Sequence, residues 1–259
     1  MPARTGHRPG VPCWTDLASP DVAASVAFYE RLFGWRAEFD PRPEAGGYGL
    51  FRLRDKPVAG IGAIFGTPAA AGWNTYLATE DAETIAGLVK EAGGLVRTGP
   101  MQVFDDGTMA VFEDPAGAVF MVWQAGRHFG AQLVDEPVAP GRFELLTRDP
   151  AGAEAFYPAV FGWSGRGTTE PARADRADRA AGWSLDGQAV AGLGPADGVL
   201  PAGESARWLV HFTVADCDAT AAAAERAGAT VLRAPQDRGG DRRAVLADPL
   251  GAAFGLLAH

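Results

Sequence analysis

The stretch Phe28-Tyr29-Glu30-Arg31-Leu32-Phe33-Gly34-Trp35 returns as Phe156-Tyr157-Pro158-Ala159-Val160-Phe161-Gly162-Trp163, displaced by 128 residues (156 − 28). The displacement holds upstream: Asp21, eight residues before Tyr29, matches Asp149, eight before Tyr157. Downstream, Val58-Ala59-Gly60-Ile61 matches Val190-Ala191-Gly192-Leu193 at an offset of 132 (190 − 58). Asp114-Pro115-Ala116-Gly117 then matches Asp248-Pro249-Leu250-Gly251 at an offset of 134 (248 − 114). Similarity at a nearly fixed period marks a tandem duplication, with small loop insertions accounting for the drift.

Each half divides again. A strand pattern over residues 12–18 leads into a helix over 22–33, opened by Asp21 and stopped by Gly34. Short strands follow at 48–53 and 58–65, joined by the Arg54-Asp55-Lys56-Pro57 turn. After a loop at 66–72 the order repeats: strand 73–78, helix 81–92, then strands 95–98, 108–113 and 119–124. The second half gives strand 143–147, helix 151–161, strand 208–214 and helix 220–227. The pattern is strand–helix–strand–strand–strand, four times. The expected fold class is α+β: paired βαβββ modules, each pair curling into a cup-shaped, mostly antiparallel sheet. The expected boundaries are a flexible tail at 1–10, a first domain at 11–125, a linker at 126–141 and a second domain at 142–259. The stretch 164–182, in which Arg173, Asp175, Arg176, Asp178 and Arg179 alternate in charge, reads as a surface loop.

Composition narrows the partners. At 47% hydrophobic and 21% charged residues, the 259-residue chain can bury two cores. A net charge of −9 argues against nucleic acid or an anionic membrane as partner. Cys13 and Cys217 form no Cys-x-x-Cys pair, so neither a disulfide framework nor a structural zinc site is expected. No apolar run approaches the roughly 20 residues of a membrane helix, and the first ten residues lack a secretory pattern. A cytoplasmic monomer or homodimer is expected.

The four modules, the Asp-x7-Tyr helices ending in Phe-Gly-Trp, and the Asp-Pro-x-Gly before each half's last strand resemble the vicinal oxygen chelate superfamily. That superfamily includes glyoxalase I, bleomycin-resistance proteins, fosfomycin-resistance enzymes and extradiol dioxygenases. The chain is most similar to a two-domain actinobacterial subgroup labelled glyoxalase-like or hydroxylase-like. The resemblance implies a metal-ligand position on the first strand of each module, seven residues before the helix-opening Asp. Another is implied on the last strand, seven residues after the Asp of Asp-Pro-x-Gly. In this chain those positions hold Trp14, Asn74 and Met121 in the first half, and Arg142, Leu209 and Gly255 in the second. A fourth position falls within 58–65 and 188–194. Trp, Met, Leu, Gly and Arg are not ligands for a hard divalent ion. Three of the four histidines, His7, His128 and His259, lie in the tail, the linker and the last position. Neither a metal nor another cofactor is expected.

Strand alternation proposes what lines the cups instead. Trp14 shares a face with Asp16, Asn74 with Tyr76, Met121 with Trp123, Arg142 with Glu144, and Leu209 with His211. Asp16 and Glu144 are repeat equivalents, and burial is expected to raise such carboxyls toward the range of a general base. The alternative is a structural carboxylate, satisfied by backbone N–H groups or by Arg142. His211 is expected to face Glu144 as a proton-transfer pair, or else to be a hydrogen-bonded sheet histidine. Trp14, Tyr76, Trp123 and Met121, with Asn74 and Arg142, suit a small hydrophobic or aromatic ligand. Trp35 and Trp163 are assigned to core packing. The expected function is metal-independent enzyme chemistry on an aromatic or polyketide-like molecule in bacterial specialised metabolism. Asp16, Glu144 and His211 would move protons in a cyclisation or isomerisation. The alternatives are a drug-sequestering protein of the bleomycin-resistance type and a metal-dependent lyase or dioxygenase with unusual ligands such as Asp16 and Asn74. The second half, with Gly255 and its long loop, is expected to be the degenerate one.

Overall fold

The computed structural model describes residues 3–64, 71–165 and 182–259. The expected loop residues 66–70 and the run carrying Arg173, Asp175, Arg176, Asp178 and Arg179 lie outside the described residues. The first module is β1 (Pro12–Ser19), α1 (Val22–Phe33), β2 (Arg36–Phe39), β3 (Gly49–Leu53) and β4 (Lys56–Ala63). The second is β5 (Gly72–Thr79), α2 (Ala82–Glu91), β6 (Leu95–Val103), β7 (Gly107–Glu113) and β8 (Val119–Ala125). The third is β9 (Pro140–Thr147), α3 (Pro150–Phe161), β10 (Ser164–Gly165), β11 (Gly182–Leu185) and β12 (Gln188–Pro195). The fourth is β13 (Ala206–Thr213), α4 (Cys217–Arg226), β14 (Thr230–Arg238), β15 (Asp241–Ala247) and β16 (Ala253–Ala258).

Each helix begins where an aspartate can accept its orphan amides. Asp21 accepts from Ala24 N, Asp81 from Glu83 N and Thr84 N, Asp149 from Gly152 N, and Asp216 from Ala219 N. Asp216 explains why α4 starts three residues before the expected 220. α1 and α3 end at Gly34 (φ 69°) and Gly162 (φ 67°), in the left-handed region that glycine adopts without strain. β6 runs well past the expected 98, through register shifts opposite β7 that let it pass Pro100. β10 also forms at 164–165, where a surface loop was expected.

Two eight-stranded sheets result, ordered β2-β3-β4-β1-β5-β8-β7-β6 and β10-β11-β12-β9-β13-β16-β15-β14. Within each sheet the paired modules meet through antiparallel first strands, β1 with β5 and β9 with β13. The edge strands of a sheet are not hydrogen-bonded to each other, so each sheet is open.

The halves share one core. Phe33 packs 5.3 Å from Phe212, Phe28 6.3 Å from Phe254, and Phe120 5.7 Å from Tyr157. The two repeat motifs bind each other across this boundary. Tyr29 donates to Asp248 at 3.1 Å and Tyr157 donates to Asp114 at 3.0 Å. Each tyrosine in turn accepts 2.9 Å bonds from Trp73 and Trp208 respectively. Trp35 and Trp163 are buried in the same core, as their position predicts. The helix-bearing faces are therefore turned toward each other, and the opposite faces, where the candidate residues sit, point outward.

Residues 3–10, expected as a flexible tail, are tied to both halves. Gly10 N donates to Ala78 O at 2.8 Å and Gly10 O accepts from Trp163 Nε1 at 2.7 Å. Among the described residues no helix is long and apolar enough to cross a membrane.

Candidate small-molecule site

β1 and β5 build the floor of the first cup. Their register sets Asp16 opposite Asn74 and Trp14 opposite Tyr76, with all four side chains away from the helices. Asp16 is 7% exposed. One of its oxygens accepts from Tyr76 Oη at 2.7 Å and Tyr48 Oη at 3.1 Å, and the other from Asn74 Nδ2 at 2.8 Å. Trp14 Nε1 donates to Tyr48 Oη at 3.2 Å. Burial raises the Asp16 carboxyl above its ordinary value, against the opposing pull of those three hydrogen bonds. The Tyr48 and Tyr76 hydroxyls are pushed well above the usual phenol range, by burial and by the neighbouring carboxylate.

Above this floor lies a cavity of about 540 Å³, walled by Trp14, Tyr76, Trp123, Met109, Leu50 and Val103. Phe39, Met101 and Phe104 also line it and are each more than a third exposed, an apolar rim open to solvent. Arg42 links the two ends of the open sheet across the cavity. It pairs with Asp40 beyond β2, reaches Asp106 in the β6–β7 turn at 3.3 Å, and lies 3.9 Å over the Phe104 ring. Met121 packs behind the aromatic wall and does not line the cavity.

His128 joins this site although its place in the linker gave no hint of it. Its ring stands edge-on 4.6 Å from Trp14 and 5.9 Å from Trp123. Its carbonyl accepts from Trp123 Nε1 at 2.7 Å. Burial lowers its imidazole to about 4, which leaves it neutral at physiological pH. Tyr48 also escaped the sequence reading: it headed the expected strand at 48–53, to which no inward face was assigned, and it lies just ahead of β3.

The second cup carries the other candidates. His211 Nε2 lies 3.3 Å from Glu144 Oε2, diagonal to it across β13 and β9. Arg142 Nη2 and Arg243 Nη1 stand 3.8 and 4.0 Å from Glu144 Oε1. The expectation that burial would raise Glu144 is corrected here. Burial does push its carboxyl up, but the His211 hydrogen bond and the charges of His211, Arg142 and Arg238 outweigh it and hold the group well below the usual range. Leu209 belongs to an apolar cluster in which Leu146, Val245 and Ala253 are covered by Ala196, Val199 and Leu200 of the chain itself. The open aromatic cavity is thus in the first half.

The chain belongs to the glyoxalase/bleomycin resistance protein/dioxygenase superfamily. A family model of that description matches residues 13–122, and a glyoxalase-like domain model matches 142–257. The anthracycline biosynthesis protein DnrV of Streptomyces peucetius is 39% identical, over 98% of this chain and 94% of its own length. A Mycobacterium bovis protein named "Putative glyoxylase CFP32" is also 39% identical, over 99% of this chain and 98% of its own. The Mn(II)-bound glyoxalase from Novosphingobium aromaticivorans shares the fold, with a TM-score of 0.62 at 15% identity, covering 97% of this chain and 82% of the other.

The metal that such a fold implies does not fit these residues. The parallel register places Gly60 beside Asp16 and Met121 beside Tyr76, which identifies Gly60 as the fourth position of the first half. Gly192 beside Glu144 and Gly255 beside His211 are its counterparts. The two quartets are Trp14, Gly60, Asn74, Met121 and Arg142, Gly192, Leu209, Gly255. The glycines are not empty places. A Cβ at Gly60 would strike the Tyr48 hydroxyl, one at Gly192 the Arg142 guanidinium, and one at Gly255 the His211 ring. Polar side chains thus occupy the space that a metal-coordinating side chain at these positions would need. The alternative set of Asp16 and Asn74 fares no better, since the two bond each other and Asp16 is held by two tyrosines. Among the described residues no group of three or more His, Cys, Asp or Glu could hold a metal ion.

Proposed function

We propose that the first cup binds a flat, conjugated aromatic or polyketide-like molecule of bacterial specialised metabolism and that Asp16 exchanges a proton with it. The observation that carries this reading is a buried carboxylate on the floor of an open aromatic cavity. A carboxyl with a raised proton affinity is a stronger base than a surface carboxylate, which favours removing a proton from an enol or from carbon beside a ketone. Tyr76 and Tyr48 fix its orientation, Trp14, Trp123 and Tyr76 offer stacking surfaces, and neutral His128 adds a polar edge. The 39% identity to a protein named for anthracycline biosynthesis supports a substrate drawn from specialised metabolism. The isomerisation or cyclisation step rests on the placement of Asp16 alone. A rearrangement of this kind needs no metal, in keeping with the donor set.

A tetracyclic anthraquinone is a direct probe. Its binding should quench Trp14 and Trp123 fluorescence, and mass and chromatographic analysis should detect an isomeric product. Asp16→Asn should keep the binding and lose turnover by about 10²-fold or more. A second reading, sequestration without chemistry, is favoured by the fact that both Asp16 oxygens are already engaged by protein donors. Recovery of the bound probe unchanged, at equal rates with and without protein, would replace the catalytic reading with this one.

A further inference from the structure

Unmet hydrogen-bonding capacity is concentrated on the outward face of the second sheet. Of ten buried side-chain polar atoms without a partner among the described residues, six are there: Arg142 Nε, Glu144 Oε1, His211 Nδ1, Thr213 Oγ1, Arg243 Nε and Arg243 Nη1. Glu144, His211 and Arg243 are each more than nine-tenths buried. Leaving such atoms unpaired is costly, and natural proteins rarely gather them without an occupant.

We propose that this cluster binds a small hydroxy-carboxylate, whose carboxylate is held by Arg142 and Arg243 and whose hydroxyl donates to Glu144. The chemistry follows from the atoms. Two guanidiniums approach one carboxylate at 3.8 and 4.0 Å, outside hydrogen-bond range, and retain N–H groups that suit a planar anion. Glu144 spends Oε2 on His211, and its free Oε1 can only accept while ionised, so the occupant must also carry a donor. Asp241 does not compensate the cations fully, because it is shared between Arg243 at 2.6 Å and His259 at 3.0 Å. Size is limited at the far end, where Ala196, Val199 and Leu200 cover the apolar part of the cup. Access exists at the near end. A cavity of about 400 Å³ between the amino-terminal segment and β9 is lined by Arg4, Arg8, Arg142, Asp241 and His259, so it meets the cluster at Arg142 and at Asp241, the partner of Arg243. Arg8 is already engaged by Asp186 and Gln188, whereas Arg142 keeps an unpartnered N–H. This site is independent of the aromatic cavity on the other sheet.

Calorimetric titration of the intact protein with lactate, propionate, glycerol and phosphate tests the assignment. Lactate should bind saturably, propionate about tenfold more weakly for want of the hydroxyl, and glycerol not at all. Arg142→Gln and Arg243→Gln should each weaken lactate by about tenfold or more. If a variant fails to fold, the parental protein still decides, since lactate should shift the His211 ring nitrogen signals with the same saturation curve. The proposal is overturned if lactate shows no saturation up to about 10 mM, if propionate or phosphate binds as well, or if the His211 signals do not move.

Discussion

Asp16 can be tested without knowing any ligand. Burial raises its carboxyl above the ordinary 3.8, so the folded chain holds this proton to higher pH than the unfolded chain does. Within that window the native state binds more protons, and its stability falls as pH rises; below 3.8 the contribution is fully present. Asp16→Asn removes the titration. Its melting temperature should fall less steeply than the parental one as pH is raised from 3.8, and two parallel curves would mean that Asp16 is not perturbed. The residue and its face were legible from alternation along β1, as were Trp14, Tyr76 and Trp123. Its partner Tyr48 and the wall residue His128 were not: no inward face was assigned to the strand that Tyr48 heads, and His128 lies in the connection between the halves, which has no strand period. Glu144 was legible in place but not in charge state, since its proton affinity is set by His211 and the arginines, which converge only in the folded sheet.

At the scale of elements, the starts of the first three helices were legible at their aspartates and two of the stops at glycines. Helix α4 was expected three residues late because its Asp216 cap was passed over. The strand partners were not legible, because a parallel register such as β1 with β4 leaves no local signal. That register gives Gly60 its meaning. A methyl group there would fall on the Tyr48 hydroxyl and within 2.8 Å of Asp16 Cβ. Gly60→Ala should therefore cost about 1–3 kcal/mol through overpacking and should weaken binding of the anthraquinone probe by displacing Tyr48. Gly72→Ala is the control, for a Cβ there meets nothing within 4 Å, and the change should be nearly neutral. Denaturant melts of the two variants separate these outcomes, and equal stabilities would remove the argument that the glycine makes room for the tyrosine.

The duplication fixed the order of modules in the whole molecule, yet it did not reveal why Asp-x7-Tyr and Asp-Pro-x-Gly recur together. They are two ends of the same hydrogen bonds, Tyr29 to Asp248 and Tyr157 to Asp114, each reaching from one half to the other. Phe212 and Phe254 of the second half complete the packing around Phe33 of the first. Neither half closes its own core, so unfolding one must expose the other. Tyr29→Phe deletes a buried hydroxyl that both accepts from Trp73 and donates to Asp248, and should destabilise the protein by about 1–3 kcal/mol. Tyr157→Phe should do the same through Trp208 and Asp114. Because the core is shared, each variant should still unfold in one transition, with far-ultraviolet dichroism and tryptophan fluorescence superimposing. Two resolved transitions, with Tyr29→Phe moving only one of them, would show that the halves fold as independent units and that the paired motifs serve each half separately.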